Sequence, residues 1–179
     1  MFKTKRDGTL TIAALAGGAF NTTTGALLAG AKSLDIDLEP GDFNYSVPGP
    51  TVIRGLDRGE FTSPPQKRYG DDQPITLGFT KLLEELTDAA ASTLLDIINQ
   101  EGYVAANWQS TLAAVAGCAE VFTVDIRWKV EGTDHCDAND YALIFRWVHV
   151  TGGGANEGDQ NTITFAGESD MSYPIAVTM

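Results

Sequence analysis

The chain contains few of the residues that form covalent or catalytic sites. Its 179 residues include two cysteines, Cys118 and Cys136, and two histidines. Two cysteines are too few for a disulfide scaffold and suit a reducing compartment, where Cys behaves as a small buried hydrophobe or a spare surface thiol. No serine stands in a nucleophile-elbow motif, so a Ser-His-Asp or Cys-His arrangement has no sequence signal. We therefore predict no catalytic residue and no enzyme activity.

The best concentration of potential metal ligands is the run Asp134, His135, Cys136 and Asp137. A closed zinc site usually takes four ligands in paired short spacings, and the other cysteine stands alone. Adjacent residues of a tight turn also point apart, which favours a polar hairpin turn. The glycine run 152–154 neither leads from a strand into a helix nor precedes a Lys-Ser/Thr pair, which argues against a phosphate cradle. The sequence thus predicts no metal ion and no cofactor.

Long apolar runs and positive charge are scarce as well. No run reaches the roughly 18 residues that a membrane-spanning helix needs, so no membrane insertion is expected. The stretch 10–19, which follows a basic start, is too weakly apolar for a secretory signal, and we expect mature protein made in the cytoplasm. Lys and Arg number 12 against 24 Asp and Glu, which gives a net charge of −12. Such an acidic surface repels phosphates and argues against a protein that grips nucleic acid.

Apolar and polar residues alternate along most of the chain, the pattern of half-buried strands. The clearest strand is 119–131, with an apolar face of Phe122, Val124, Ile126, Trp128 and Val130 and a polar face of Thr123, Asp125, Arg127 and Lys129. Other strands are predicted at 33–39, 74–79, 141–150, 161–167 and 174–178. The first thirty residues are interpreted as an extra strand pair or an adhesive arm.

Helical periodicity occurs in one place, from about Asp88 to Gln100, with an apolar stripe of Leu94, Leu95, Ile97 and Ile98. Thr87 or Asp88 can cap its start, and Gly102 can close its end. One amphipathic helix beside many antiparallel strands predicts a mainly β fold, with two packed antiparallel sheets flanked by one α-helix. We interpret residues 1–179 as a single domain.

The alternation breaks between Pro40 and Pro74, where most of the prolines are concentrated. This segment lacks the apolar content to pack on its own, yet loops of this length are uncommon unless they are functional or disordered. We therefore predict that 43–72 is a projecting arm that orders against a neighbouring subunit. A second loop, at a hairpin tip, is expected at 152–159. The candidate contact residues of the arm are Arg54, Asp57, Arg58, Glu60, Arg68, Asp71 and Asp72.

Asp35, Asp37 and Glu39 place like charges side by side on the polar face of strand 33–39. A plain solvent-exposed strand and the wall of a channel are equally good interpretations of this face. Carboxylates on a channel wall would keep DNA phosphates from sticking during rapid transit. These three residues are the candidate lumen-facing acids.

An ordered series of short strings runs through most of the chain. It comprises LEPGDF at 38–43, GLDRGE at 55–60, RYGDDQP at 68–74, Leu94-Leu95-Asp96 in the helix, Trp108, VFTVDI at 121–126 with a following Glu-Gly turn, a Gly/Glu-Gly-Asp loop and a Thr-Ile-Thr-Phe strand. Each string alone is unspecific, since β-sandwiches reuse such sequences. Their order and spacing, over roughly residues 35 to 174, resemble the major tail tube proteins of long-tailed phages, the non-contractile types in particular.

The resemblance implies two packed sheets and a flanking helix, assembled into homohexameric rings that stack into a tail tube. Inner strands of neighbouring subunits would join into a continuous β-barrel around a channel for DNA ejection. The arm 43–72 would reach the adjacent ring and pair its arginines with acidic residues there. The implied partners are further copies of the chain and the tape measure, tail terminator and tail-tip proteins, while DNA passes unbound. The implied location is the virion tail, after synthesis in the host bacterial cytoplasm.

Two other functions stay open at the level of sequence. The same fold could form the inner tube of a phage-related secretion or gene-transfer device. A receptor- or carbohydrate-binding β-sandwich at a tail tip or on a capsid would instead stack sugars on exposed aromatics such as Tyr45, Tyr69 and Trp108. Tube subunits should polymerise, whereas a receptor-binding module should stop at a small closed oligomer.

Overall fold

The fold is described for residues 8–38, 42–55, 66–83, 88, 90–112, 121–130, 138–158 and 161–179 of a computed structural model, with 37, 53–55 and 66–69 given by backbone alone. These residues form ten strands and two short helices. The strands are β1 (Gly8–Ala14), β2 (Lys32–Asp37), β3 (Asn44–Ser46), β4 (Val52–Gly55), β5 (Gln66–Tyr69), β6 (Ile75–Leu82), β7 (Thr123–Val130), β8 (Tyr141–Asn156), β9 (Thr162–Ser169) and β10 (Ile175–Thr178). The helices are α1 (Leu94–Asn99) and α2 (Gly102–Asn107).

Eight of the ten strands belong to one antiparallel sheet, in the order β2-β1-β7-β8-β9-β6-β3, with β10 also paired to β8. The 16-residue strand β8 holds this sheet together, because its first part pairs with β7 and its last part, from Val148, pairs with β9. Since β7 occupies one edge of β8 from Tyr141 to His149, β9 and β10 lie one after the other along the opposite edge. The remaining strands, β4 and β5, pair only with each other in the described part of the chain.

The sheet curls until its two halves pack face to face. Tyr45 of β3 and Phe145 of β8 are three strand positions apart, which in a flat sheet would separate them by about 14 Å. Their ring centroids are 5.2 Å apart, and the ring of Phe43 lies 5.5 Å from that of Trp128 on β7. The predicted mainly β fold is confirmed, and its two layers are halves of one sheet joined through β8.

The main core lies between the two halves and follows the alternation of the strands. Phe79 of β6 and Phe165 of β9 stack inside it, with ring centroids 4.9 Å apart. The helical segment closes over the same core through Leu94, Ile97 and Val104. The buried strand residues of this core are Leu10, Ile12, Ala14, Ile36, Ile75, Leu77, Phe79, Val124, Ile126, Phe145, Val148, Ile163 and Phe165.

The strands predicted from alternation are present with shifted ends, at β2, β6, β7, β8, β9 and β10. The N-terminal stretch, for which an extra strand pair was one interpretation, contains the strand β1. This strand lies inside the sheet, between β2 and β7, and its pairing places Leu10 opposite both Ile36 and Trp128. Its two faces are both covered from Leu10 onward, so it does not show the alternation of a half-buried strand.

The prediction of one helix from Asp88 to Gln100 is wrong in its boundaries. Asp88 precedes the helical residues, and α1 begins after Thr93, whose side chain accepts a hydrogen bond from the Asp96 N–H at 3.2 Å. The helix ends at Gln100, which has a left-handed backbone with φ +56°, and α2 follows at once. Local hydrogen bonding at Thr93 therefore sets the start, as expected for an N-cap threonine.

The prediction of a loop at 152–159 is wrong for its first half. Gly152 to Asn156 continue β8 and pair with β9, so the turn is confined to the residues that follow. Gly153 is required by close packing, because a Cβ there would lie 2.8 Å from Ile98 of α1 and 2.7 Å from the Thr164 carbonyl oxygen. A glycine inside a strand can thus mark the close approach of another element.

Candidate assembly surfaces

The predicted arm contains a two-stranded ribbon formed by β4 and β5. The pairing runs from Val52 opposite Tyr69 to Gly55 opposite Gln66. At its base, the Gly70 N–H donates to the Thr51 carbonyl oxygen at 2.6 Å. Neither strand makes more than slight contact with any other described helix or strand. An isolated two-stranded hairpin is only marginally stable in water, so a surface that covers the ribbon would stabilise it.

Four of the seven candidate arm residues fall within the described chain. Arg54 lies in β4 and Arg68 in β5. Asp71 and Asp72 are exposed at the base of the ribbon, where Asp72 accepts a hydrogen bond of 2.7 Å from the Ser172 hydroxyl. The contacts of the arm with a neighbouring subunit stay a prediction. Outside the described residues lie Asp57, Arg58 and Glu60.

Asp35 is the one candidate lumen acid with a described side chain. Asp37 ends β2 with its backbone alone described, and Glu39 lies outside the described residues. Asp35 is exposed and accepts a hydrogen bond of 2.7 Å from the hydroxyl of Thr11, which lies opposite it on β1. The same hydroxyl accepts a hydrogen bond of 3.1 Å from Arg127 on β7. Asp35 therefore belongs to a row of polar side chains across three strands, and its position in a channel wall stays a prediction.

Residues 15–31, which we call the strap, connect β1 to β2 across the outer face of the sheet. Within the strap, Phe20 pairs with Leu27, and the Asn21 side chain accepts hydrogen bonds from the Thr23 and Thr24 N–H groups at 2.8 and 3.1 Å. The strap and the sheet enclose a second, smaller apolar cluster. Its buried members are Ala13, Ala19, Phe20, Ala142, Ile144 and Val177.

Charged side chains of the sheet hold the strap through its backbone. The fully buried Asp125 of β7 accepts a hydrogen bond of 2.8 Å from the Ala19 N–H. Arg146 of β8 donates to the Gly17 carbonyl oxygen at 2.7 Å. The polar face predicted for 119–131 is therefore present, but the strap covers part of it. Alternation alone could not reveal this cover, because it gives the face of a residue and not what lies over that face.

Arg127 makes the third of these attachments. Its Nη1 donates to the Gly25 carbonyl oxygen at 2.9 Å, and its guanidinium lies 5.0 Å from the centre of the Phe20 ring. Burial lowers the pKa of the Arg127 guanidinium from its ordinary value, and the nearby Asp35 charge opposes that shift. The interaction with the aromatic face adds a favourable contact for the partly desolvated cation.

Asp125 also fixes an irregularity in β8. Two β8 residues, Arg146 and Trp147, face the single Asp125 of β7, which makes a β-bulge. Trp147 has φ +55°, and its N–H donates to Asp125 at 3.1 Å. The Arg146 Nε lies 3.8 Å from the same carboxylate. Burial raises the pKa of the Asp125 carboxyl above its ordinary 3.8, although the Ala19 and Trp147 N–H groups and the Arg146 charge oppose that rise.

Of the three aromatics proposed for sugar stacking, Trp108 is buried and Tyr45 is 40% exposed. Trp108 is 7% exposed and belongs to the main core, and its indole N–H donates to the Ser92 hydroxyl at 2.7 Å. The Tyr45 ring packs against Phe145 with one side in solvent. The Tyr69 side chain lies outside the description.

The described ranges contain no group of three or more His, Cys, Asp or Glu residues that could hold a metal ion. The run 134–137 and Cys118 lie outside those ranges. No helix found in the described part of the chain is long and apolar enough to cross a membrane.

No protein-family model matches the chain, and no curated protein matches it. Among solved structures, the chain is similar to one from a cryo-EM structure of an extracellular contractile injection system, the PVC sheath-tube complex in the extended state. The match covers 94% of this chain and 88% of that chain, with 11% sequence identity and a TM-score of 0.49.

Proposed function

We propose that this chain is a non-enzymatic structural subunit of a phage-type tail tube. Copies of it would assemble into stacked rings, hexameric as the sequence resemblance implies, around a channel that conducts DNA from virion to host. The tape measure, tail terminator and tail-tip proteins would be its further partners.

The observation that carries this proposal is the β4–β5 ribbon. It is a separate two-stranded sheet, and it lies in the segment that the resemblance assigns to contacts between rings. Its backbone hydrogen bonds are made, yet it lacks an extensive surface of its own chain among the described elements. A neighbouring subunit would supply that surface, and Arg54 and Arg68 would supply charge for pairing with an acidic neighbour.

The edges of the main sheet also support assembly. In the described part of the chain, β2 pairs on one side only, with β1, and β3 pairs on one side only, with β6. Joining such edges between subunits in a ring would extend the sheet and leave no free strand. The exposed Lys32 and Asp35 on β2 suit an edge that must not pair indiscriminately, since charged edge residues discourage aggregation.

The net charge of −12 fits a subunit that stays dispersed until specific contacts form. The same charge would keep DNA from adhering to the wall of a channel. The inner tube of a secretion or gene-transfer device would use the same surfaces with another cargo. A receptor-binding role loses one candidate stacking residue, because Trp108 is buried, whereas Tyr45 remains 40% exposed.

Electron microscopy of a deletion variant tests the proposal. The wild-type protein, alone or with tail-tip components, should form hollow tubes or stacked rings. Removal of residues 50–66, with a short Gly-Ser joint, should leave the far-UV circular dichroism spectrum nearly unchanged and abolish tube growth. A same-length Gly-Ser replacement of 157–160, at the β8–β9 turn, controls for loop engineering and should still form tubes. Normal tubes from the deletion variant would refute the role of the ribbon, and persistent wild-type monomers would favour a receptor-binding module.

A further inference from the structure

The strap carries no charged side chain. Residues 8–31 contain no Asp, Glu, Lys, Arg or His, although the whole protein carries 36 charged residues, 12 basic and 24 acidic. The strap therefore contributes backbone atoms and apolar side chains to its contacts, and the sheet contributes all the charges. Any charge-dependent control of the strap must come from the sheet beneath it.

Few hydrogen bonds attach the strap to the described chain, and one of them joins the Gly17 N–H to the Thr111 carbonyl oxygen at 3.2 Å. Three sheet residues hold its backbone: Asp125 at Ala19, Arg146 at Gly17 and Arg127 at Gly25. The apolar cluster below it is built mainly from small side chains, with Phe20 and Ile144 as its largest buried members. Segments with few apolar contacts open locally at lower free energy than the core of the same protein.

We propose that the strap is a latch that opens and closes on the intact sheet, with the Asp125 carboxylate as its pH-dependent fastener. When the strap is closed, this carboxylate is removed from water and meets the Ala19 N–H, the Trp147 N–H and Thr111. When the strap lifts, water reaches the carboxylate. Opening therefore favours the ionised form, and closing favours the protonated form.

Among the residues that the structure describes, the charged groups around Asp125 come from the sheet. Arg146 approaches it from β8, with Nε 3.8 Å from the carboxylate. Arg127 lies two residues along β7 and is joined through Thr11 to Asp35 on β2. The strap itself presents no titratable group. Because the closed state raises the pKa of Asp125 above its ordinary 3.8, closing is strongest below that ordinary value, weakens as the pH rises toward the raised pKa, and levels off above it.

Amide hydrogen exchange, measured from about pH 4 to about pH 7 and corrected for the intrinsic rate of an unstructured peptide, tests the latch. The informative strap amides are those of Ala19, which donates to Asp125, and Gly17, which donates to the Thr111 carbonyl oxygen, because lifting the strap breaks both bonds. They should exchange faster than the amides of β7. Their opening constant should increase by up to about tenfold per pH unit within the titration range and then level off. Equal protection in the strap and in β7 would overturn the proposal, since the strap would then open only with the whole fold.

Two variants and a control separate the fastener from general stability. Asp125→Asn should remove the pH dependence of strap exchange, and its persistence would overturn the role of this carboxylate. Arg146→Gln keeps a donor near Gly17 but removes the charge that favours ionised Asp125, so the pH range of opening should move upward. If the pH range of strap opening does not move in Arg146→Gln, the proposal is overturned. This test still decides if Asp125→Asn does not fold. Glu157→Gln, which neutralises an exposed carboxylate beyond the end of β8, should behave as the wild type.

Discussion

The packing of the sheet on itself predicts an energetic coupling between two residues that are remote along the sheet. Tyr45 of β3 and Phe145 of β8 meet edge to face, with ring centroids 5.2 Å apart and planes at 62°. Pairs of this geometry contribute about 0.5–1.5 kcal/mol beyond the area that they bury. Phe145→Leu keeps a large apolar side chain at a fully buried position and should cost up to about 1.5 kcal/mol alone. Combined with Tyr45→Leu, it should cost less than the sum of the two single changes.

The assay is a double-mutant cycle by urea unfolding, followed by far-UV circular dichroism. The wild type, both single variants and the double variant give the coupling, provided that all four unfold in two-state transitions. The control cycle combines Phe145→Leu with Tyr173→Leu, because Tyr173 is 71% exposed. That cycle should be additive within about 0.5 kcal/mol. Additivity in the Tyr45 cycle as well would refute the face-to-face packing of the two halves.

Two further predictions concern the candidate channel wall and the helical segment. Changing Asp35, Asp37 and Glu39 together to Lys should leave tube formation intact, as checked by electron microscopy, and should abolish DNA delivery. The matching changes to Asn and Gln are the control for side-chain shape. Unchanged infectivity of the Lys variant would mean that these side chains do not face the channel. Gly102→Ala should lower the free energy of unfolding by about 1–2 kcal/mol, because Gly102 has φ +57° and a Cβ there would lie 2.7 Å from a buried carboxylate oxygen. Gly154→Ala, where a Cβ meets nothing within 4 Å, should cost less than about 0.5 kcal/mol in the same urea titration.

Alternation was enough to predict the strands that have one face in the core. In β7, Val124 and Ile126 face the main core as predicted, and the strand keeps the proposed register. Alternation failed for β1, since a strand covered on both faces loses the contrast on which the method depends. It also failed at the end of β8, because glycine usually marks a turn, whereas Gly153 leaves room for α1.

The candidate site was predictable in composition but not in contacts. The charge of the arm and its break in alternation were visible in the sequence, and the ribbon of β4 and β5 within it was not. The burial of Asp125 was hidden for a similar reason, because its partners Ala19 and Arg146 are 106 and 21 positions away along the chain. Contacts of such separation depend on how the sheet curls, and that is a property of the whole fold.

The division of roles between the strap and the sheet has a consequence for how this sequence can vary. The sheet holds the strap through backbone atoms: Asp125 accepts from the Ala19 N–H, and Arg127 and Arg146 donate to the carbonyl oxygens of Gly25 and Gly17. The side chains of the strap turn take no part in these three attachments. The exposed threonines of the strap turn, Thr22–Thr24, are therefore open to replacement during evolution or engineering. A peptide displayed at that turn would decorate the outer face of the sheet, which the strap crosses.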